Sequence, residues 1–258
     1  MATKLRPSLE EAATVGSGPR GGLRPETAGM PLSAGGSPSI TGGPPPTGAP
    51  GRDQLAVRLG PLEPRDGRAF ARLSATRSDL PIMAEMLDRE RAVARQWGVD
   101  HGADPVTTRL ASDGRRQLLV VPDWAALVAA RDVTAVGFFG QLRRGIDHAI
   151  LFDLEAKLAD TFASFAKLGL LSYHDLGAEH GRFGNLVLFS QPDGPELWHT
   201  NPAHREAVAI APAHYESIRL HRGVVPGDFT GTAKLAVQRT SYLDFRGPRP
   251  WRAVRVYR

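Results

Sequence analysis

The sequence predicts an α+β protein with a disordered N-terminal tail, a mixed α/β N-terminal half and a C-terminal half in the order βαββαβ. Three observations predict this class. Ten glycines and nine prolines fall within the first 50 of the 258 residues, a composition that cannot build a core. After them, apolar residues recur with the periods of strands and helices in alternation. No run of about 18 apolar residues occurs, so no membrane partner is expected.

Three segments follow from these patterns. Residues 1–52 contain the low-complexity stretch TGGPPPTGAPG and are expected to be a disordered tail. Residues 53–132 are expected to form the N-terminal α/β half, and residues 133–258 the βαββαβ half. The opening residues lack the apolar run of a signal peptide and include Glu10 and Glu11, which transit peptides avoid. A cytoplasmic protein is therefore expected.

Charge and cysteine content narrow the function classes. The chain has 32 Lys and Arg against 27 Asp and Glu, a net charge of +5. Its cations are scattered arginines rather than a basic block, so a nucleic-acid partner is not expected. The absence of cysteine excludes disulfides, thiolate zinc sites and iron–sulfur clusters. Neither an HExxH motif nor a phosphate-binding glycine loop is present, and no metal site is predicted.

The N-terminal half contains two strand patterns and two helix patterns. Asp79 followed by Leu80 and Pro81 predicts a helix start, with the carboxylate as N-cap and proline in the first turn. Asp123 predicts a second helix start before an apolar run. The predicted elements are a strand at 54–59, a helix over 79–96, a strand at 117–121 and a helix over 124–131.

The C-terminal half contains clearer helix and strand patterns than the N-terminal half. Asp147 predicts the start of a helix whose apolar residues step by three and four until Gly169. Two strand-like runs follow, joined by the glycine-containing loop GAEHGRF, which predicts a hairpin. The predicted elements are strands at 134–143, 170–175, 184–189 and 233–242, with helical regions at 147–168 and, broken by Pro212, at 196–222.

This order, βαββαβ, predicts a ferredoxin-like unit in which two crossover helices cover one face of a four-stranded antiparallel sheet. The other face needs a cover, because soluble proteins rarely leave a large apolar sheet face exposed. Three covers are open at this stage: the sheet of a partner subunit in a homodimer, the N-terminal half of the same chain, or a flat ligand.

The segment from Leu197 to Glu206 carries a resemblance to a known family. Its Trp198 just after the hairpin, and His204 and Glu206 at a helix start, resemble the dimeric α/β-barrel superfamily, which holds antibiotic-biosynthesis monooxygenase-like and haem-degrading proteins. The resemblance covers about residues 133–245. It implies a homodimer enclosing a cavity for a small hydrophobic substrate, with haem or no cofactor. It does not fix the reaction, which in that superfamily includes oxidoreductase and isomerase chemistry.

Candidate site residues follow from strand alternation. Ser172 and His174 are expected on the face opposite Leu171 and Tyr173, so His174 is predicted to enter the cavity as a general base. His204 is the second predicted catalytic residue. In each case a purely structural role is the alternative. The predicted substrate-binding residues, which supply apolar wall, polar groups and a cation, are Phe139, Gln141, Arg143, Trp198, Gln238 and Tyr242.

The sequence thus favours a small-molecule enzyme of secondary or degradative metabolism, an oxidoreductase of monooxygenase type or an isomerase, acting over the sheet. The alternative is a non-catalytic module on the same frame that binds a ligand or RNA. RNA-recognition modules carry stacking aromatics on two central strands. The runs Gly137–Leu142 and Arg182–Leu188 stand in those positions, but Asn185 occupies the place of a central stacking aromatic.

Overall fold

The computed structural model describes residues 56–97, 106–110, 115–177 and 182–257. The predicted tail at 1–52 lies outside the described residues. The chain divides into the units Met1–Thr47 and Gly48–Arg258, and all of the described residues belong to the second. No helix among them is both long enough and apolar enough to span a bilayer.

The described residues contain nine strands, six α-helices and one turn of 3-10 helix at Ala69–Ala71. The helices are α1 (Leu73–Trp97), α2 (Trp124–Ala129), α3 (Ala149–Ala159), α4 (Phe162–Ala166), α5 (Gly194–Trp198) and α6 (Pro202–His214). The strands are β1 (Val57–Leu59), β2 (Val106–Leu110), β3 (Arg116–Val120), β4 (Arg131–Leu142), β5 (Leu170–Gly177), β6 (Arg182–Phe189), β7 (Tyr215–Asp228), β8 (Ala236–Asp244) and β9 (Trp251–Val256).

All nine strands join one mixed sheet in the order β1-β9-β8-β7-β4-β6-β5-β3-β2. Every neighbouring pair is antiparallel except β1 and β9, which run parallel. Strands from the predicted N-terminal half stand at both edges, because β1 pairs with β9 while β2 and β3 extend the sheet beyond β5. The class predicted from the sequence, mixed α and β, is confirmed.

Helices cover both faces of the sheet. Leu186 and Leu188 of β6 pack in one cluster with Met83 and Met86 of α1. On the opposite face, Val187 packs in a second cluster with residues of α3 and α4. The period of two along β6 therefore separates a face covered by α1 from a face covered by α3 to α6. We call these the α1 face and the α3–α6 face.

The sequence-based start of the first long helix was wrong. The helix begins at Leu73 rather than Asp79, and Pro81 lies inside it. Asp79 followed by Pro81 is a residue pattern typical of a helix N-terminus, but the Asp79 carboxylate is buried and bonds to strand residues. Gly137 of β4 allows α1 to lie close to the sheet, since a Cβ there would stand 2.5 Å from Met83 Cε.

The predicted helical region at 196–222 was also wrong in its second part. Helix α6 ends at His214, and a strand of 14 residues, β7, runs from Tyr215 to Asp228. Burial in β7 alternates in the manner of a strand, and this alternation identifies the segment as a strand rather than a continuation of the helix. The predicted last strand at 233–242 is β8, which starts at Ala236, and strands β2 and β9 were not predicted.

Candidate functional site

Helix α1 lies over the sheet face on which the sequence placed a cavity. Phe139, a predicted wall residue, is 2% exposed and packs in the same cluster as Met83 and Met86 of α1. A helix of the same chain thus covers this part of the face, one of the three covers left open by the sequence.

His174 lies on the α1 face, fully buried. Its Nδ1 is 3.2 Å from Glu90 Oε1 of α1, and the Ser172 hydroxyl donates to Glu90 Oε2 over 2.6 Å. Ser172 and His174 therefore share a face, and Tyr173 packs on the α3–α6 face. Leu171 instead joins the α1-side cluster, because the pairing of β5 with β6 shifts register between Leu170 and Ser172.

We expect His174→Ala to destabilise the fold by about 1–3 kcal/mol, because it removes one of the two polar partners of the buried Glu90 carboxylate. The exposed His199 is the control, and His199→Ala should change stability by less than about 0.5 kcal/mol. Urea denaturation measures both. An unchanged midpoint for His174→Ala would contradict a structural role for this imidazole.

The other predicted site residues do not converge on one pocket. Tyr242 is buried on the α1 face, whereas Trp198 packs in the α3–α6 cluster and its ring centroid is 5.7 Å from that of His204. The Arg143 guanidinium donates to the carbonyls of Pro212 and Phe245. Gln238 is exposed on β8, and Gln141 is half-buried on β4.

A buried ionic network crosses from α1 to β7. The Arg219 guanidinium donates to both Asp79 oxygens, over 2.5 and 2.8 Å, and His221 Nε2 lies 2.9 Å from Asp79 Oδ2. Burial by itself would raise the pKa of Asp79, but hydrogen bonds from His221 and Arg219 outweigh it and hold that pKa below its ordinary value. Asp79 is therefore a carboxylate at neutral pH.

Hydroxyl groups extend this network toward the surface. His221 Nδ1 is 2.8 Å from the Thr240 hydroxyl, which accepts a bond of 3.1 Å from the Tyr257 hydroxyl. Tyr242 Oη lies 3.0 Å from the Thr76 hydroxyl and 3.4 Å from Tyr257 Oη. Burial raises the pKa of Tyr242 to about 12, so this phenol keeps its proton at neutral pH. We call the chain Asp79, His221, Thr240, Tyr257 the hydroxyl relay.

The relay ends at a groove of about 920 Å³ on the α1 face. Thr76 and Tyr257 line this groove, so the relay connects its lining to the buried His221 and Asp79. The groove lies between the first turns of α1 and strands β1, β8 and β9. Its other lining residues are apolar or cationic: Leu59, Pro61, Leu62, Leu73, Leu80, Leu235, Val237, Val254, Val256, Arg58 and Arg77.

The carboxyl groups of Asp175 and Glu155 interact on the α3–α6 face, and the pKa of Asp175 is raised there. Asp175 is buried, and neither of its oxygens accepts a hydrogen bond from a described N–H or O–H group. The Glu155 carboxyl interacts with Asp175 electrostatically. Arg116 bonds to Glu155, and Arg116 Nη1 stays 3.8 Å from Asp175 Oδ2. Burial and then the charge of Glu155 raise the pKa of Asp175 well above its ordinary value. Asp175 therefore keeps its proton to a higher pH than an ordinary aspartate does.

The raised pKa of Asp175 predicts a stability that falls as pH rises. The folded state holds a proton on Asp175 that the unfolded chain loses near its ordinary pKa, so stability declines from about pH 4 up to the raised pKa. We expect Asp175→Asn to flatten that decline in urea midpoints measured from pH 4.5 to 8.5. Asp153→Asn, an exposed change of the same charge on α3, should keep the slope. Equal slopes in both variants would contradict a raised pKa of Asp175 in the folded protein.

Sequence reasoning missed most of the groove and its relay. Asp79 was interpreted as an N-cap, and His221 was placed on a helix, so their contact across 142 positions was not predicted. Tyr242 alone among the predicted site residues belongs to the polar groups behind the groove. A usable signal was the alternation of apolar and polar residues from Ile218 to His221, a period of two that is typical of a strand.

Comparison with known proteins adds little to this geometry. No protein-family model matches the chain, and no curated protein matches it. Among solved structures, the chain is similar to the crystal structure of a protein of unknown function from Nitrosomonas europaea. The two share 15% identity over 37% of this chain and 91% of the other, with a TM-score of 0.33. A similarity this low supports no conclusion about fold or function.

Proposed function

We propose that the protein binds an apolar small molecule with one acidic oxygen in the groove between α1 and strands β1, β8 and β9. The observation that carries this proposal is the composition of the groove: apolar walls with two hydroxyl-bearing residues, Thr76 and Tyr257, connected to a buried histidine and carboxylate. Small-molecule sites typically combine a mostly apolar cavity with a few convergent polar groups.

The charge of the lining favours an acidic ligand. Arg58 and Arg77 are exposed lining residues, and no carboxylate lines the groove among the described residues. A ligand oxygen at Tyr257 would join the hydroxyl relay, whose Asp79 end is held by Arg219, and Thr76 stands beside it, 3.5 Å from Tyr257 Oη. Proton transfer to or from that oxygen is the chemistry that this arrangement supports, as an isomerase would require.

Haem does not fit the groove well. No histidine is among its described lining residues, and His174 is buried beneath α1 beside Glu90. The proposal therefore contains no haem step. RNA binding through the central strands is also disfavoured, because Phe139 is buried under α1 rather than displayed for stacking.

The central strands support a finer proposal about the fold. Strands β7, β4, β6 and β5 are neighbours in the sheet, and each is antiparallel to the next. Helices stand in the chain between β4 and β5 and between β6 and β7, and we propose that these elements form a ferredoxin-like unit. In this proposal α1 takes the position that a partner sheet would take in a dimeric α/β barrel. The exposed apolar face that motivated a homodimer is therefore absent from the described residues around Phe139.

A fluorescent medium-chain carboxylic acid, dansylaminoundecanoic acid, tests the proposed function. We expect saturable binding of one molecule per chain, with a blue-shifted emission. The matched probe is the corresponding primary alcohol, which lacks the acidic oxygen and should bind more weakly. Arg77→Ala should remove most of that difference. Equal binding of acid and alcohol by the unaltered chain would contradict the acidic-ligand assignment, and absence of saturable binding would overturn the function.

A further inference from the structure

Two histidines meet on the α3–α6 face, away from the groove. His148 immediately precedes α3, and His214 is the last residue of α6. Their Nδ1 atoms are 3.3 Å apart. In tetrahedral zinc sites the metal–nitrogen distance is about 2.0–2.1 Å, which places two imidazole nitrogens about 3.3 Å apart. The observed separation therefore equals one edge of a zinc coordination tetrahedron.

The tautomer of His148 is fixed by its other nitrogen. His148 Nε2 lies 2.9 Å from the carbonyl oxygen of Arg143, and because a carbonyl only accepts, Nε2 carries the proton. The lone pair of the neutral ring is then on Nδ1, facing His214. Metal-binding histidines usually donate their second N–H to a carbonyl or carboxylate in this way. The His148 ring is thus held, through its Nε2–H, in the way that metal-binding histidines are held, with the Nδ1 lone pair available to a cation.

The backbone holds the two rings together. The Arg143 amide donates to the His214 carbonyl over 2.9 Å, which ties the end of β4 to the end of α6. Gly145, with φ of +73°, makes the turn that returns the chain to His148. Both side chains are half-buried, so they are anchored and still reachable from solvent.

We propose that His148 and His214 bind one late first-row divalent cation, of which Zn²⁺ is the test case, through their Nδ1 atoms. Among the described residues no group of three or more His, Asp or Glu gathers in a metal-binding arrangement, so water completes the coordination. Without the cation, His214 donates its Nδ1 proton to His148. Binding moves that proton to Nε2 of His214 and joins the start of α3 to the end of α6.

Calorimetric titration of the full chain with ZnCl₂ at pH 7.5 tests the site. We expect one Zn²⁺ per chain and a melting temperature that rises with zinc concentration, because the folded state alone binds the ion. His148→Ala and His214→Ala should each weaken binding more than about tenfold, since even the loss of second-shell partners costs about 10–100-fold. His148→Phe, which keeps an aromatic ring without Nδ1, should do the same if His148→Ala folds poorly.

The control is His199→Ala, because the His199 and His204 rings form another histidine pair, with centroids 5.1 Å apart. This variant should bind zinc as the unaltered chain does. Three results would overturn the proposal: no saturation below millimolar zinc, unchanged affinity in His148→Ala and His148→Phe, or loss of binding in His199→Ala. The test is independent of the groove, so it can fail while the proposed function stands.

Discussion

Replacing Asp79 with Ala is expected to destabilise the protein by about 3–5 kcal/mol, the usual cost of removing one partner from a buried ion pair. Asp79 accepts both hydrogen bonds of the Arg219 guanidinium and one from His221, and all three groups are buried. The variant leaves Arg219 charged without a counter-ion inside the structure. Urea denaturation at pH 7 should show a lower midpoint with an unchanged slope.

The matched control is an exposed ion pair. Glu196, whose side chain is 56% exposed, bonds to Arg222 at the surface, and Glu196→Ala should cost only about 0–1 kcal/mol. The stabilisation from Asp79 should also disappear as pH falls below about 4, because its pKa is lowered in the folded state. A loss below 1 kcal/mol in Asp79→Ala would show that Arg219 finds solvent or another partner, which would contradict a buried Asp79–Arg219 ion pair.

Replacing Leu80 with Glu is expected to weaken binding of the carboxylate probe by more than about tenfold in affinity, or about 1.4 kcal/mol. Leu80 lines the groove and is 37% exposed, so the change should disturb the core little while placing a negative charge beside the ligand. The control is Ile146→Glu, at a position 41% exposed outside the groove lining. Equal probe affinity in the two variants would contradict the groove as the site.

Helices and strands were predicted well where the apolar periodicity and the glycine residues at element ends indicated the same boundaries. The helix closed by Gly169, which the structure divides into α3 and α4, and the hairpin of β5 and β6 were predicted within a few residues. Local apolar spacing determines these elements, because each one buries a single stripe or face. The predicted faces of β5 were wrong only at Leu171. A register shift between β5 and β6 moves this side chain to the other face of the sheet, and nothing in the local apolar pattern indicates that shift.

The groove could not be predicted for a different reason. Its walls come from α1, β1, β8 and β9, and the relay joins Asp79 to residues 142 and more positions away. Hydrophobic periodicity describes one element at a time, so it cannot place Thr76 against Tyr242 across 166 positions. The polar face of α1 also has an ambiguous pattern, since buried Asp79 and Glu90 look like solvent-facing charges in a single sequence.

Locating a bound ligand in a crystal decides whether the groove between α1 and the β1 edge of the sheet holds an apolar acid. A crystal structure of the chain soaked with 11-bromoundecanoic acid would place the bromine by its anomalous scattering. We expect one bromine peak among Leu80, Val254 and Val256, with the carboxylate near Tyr257 or Thr76. A bromine peak elsewhere in a saturated crystal, with the groove holding only water, would show that the groove is not the binding site.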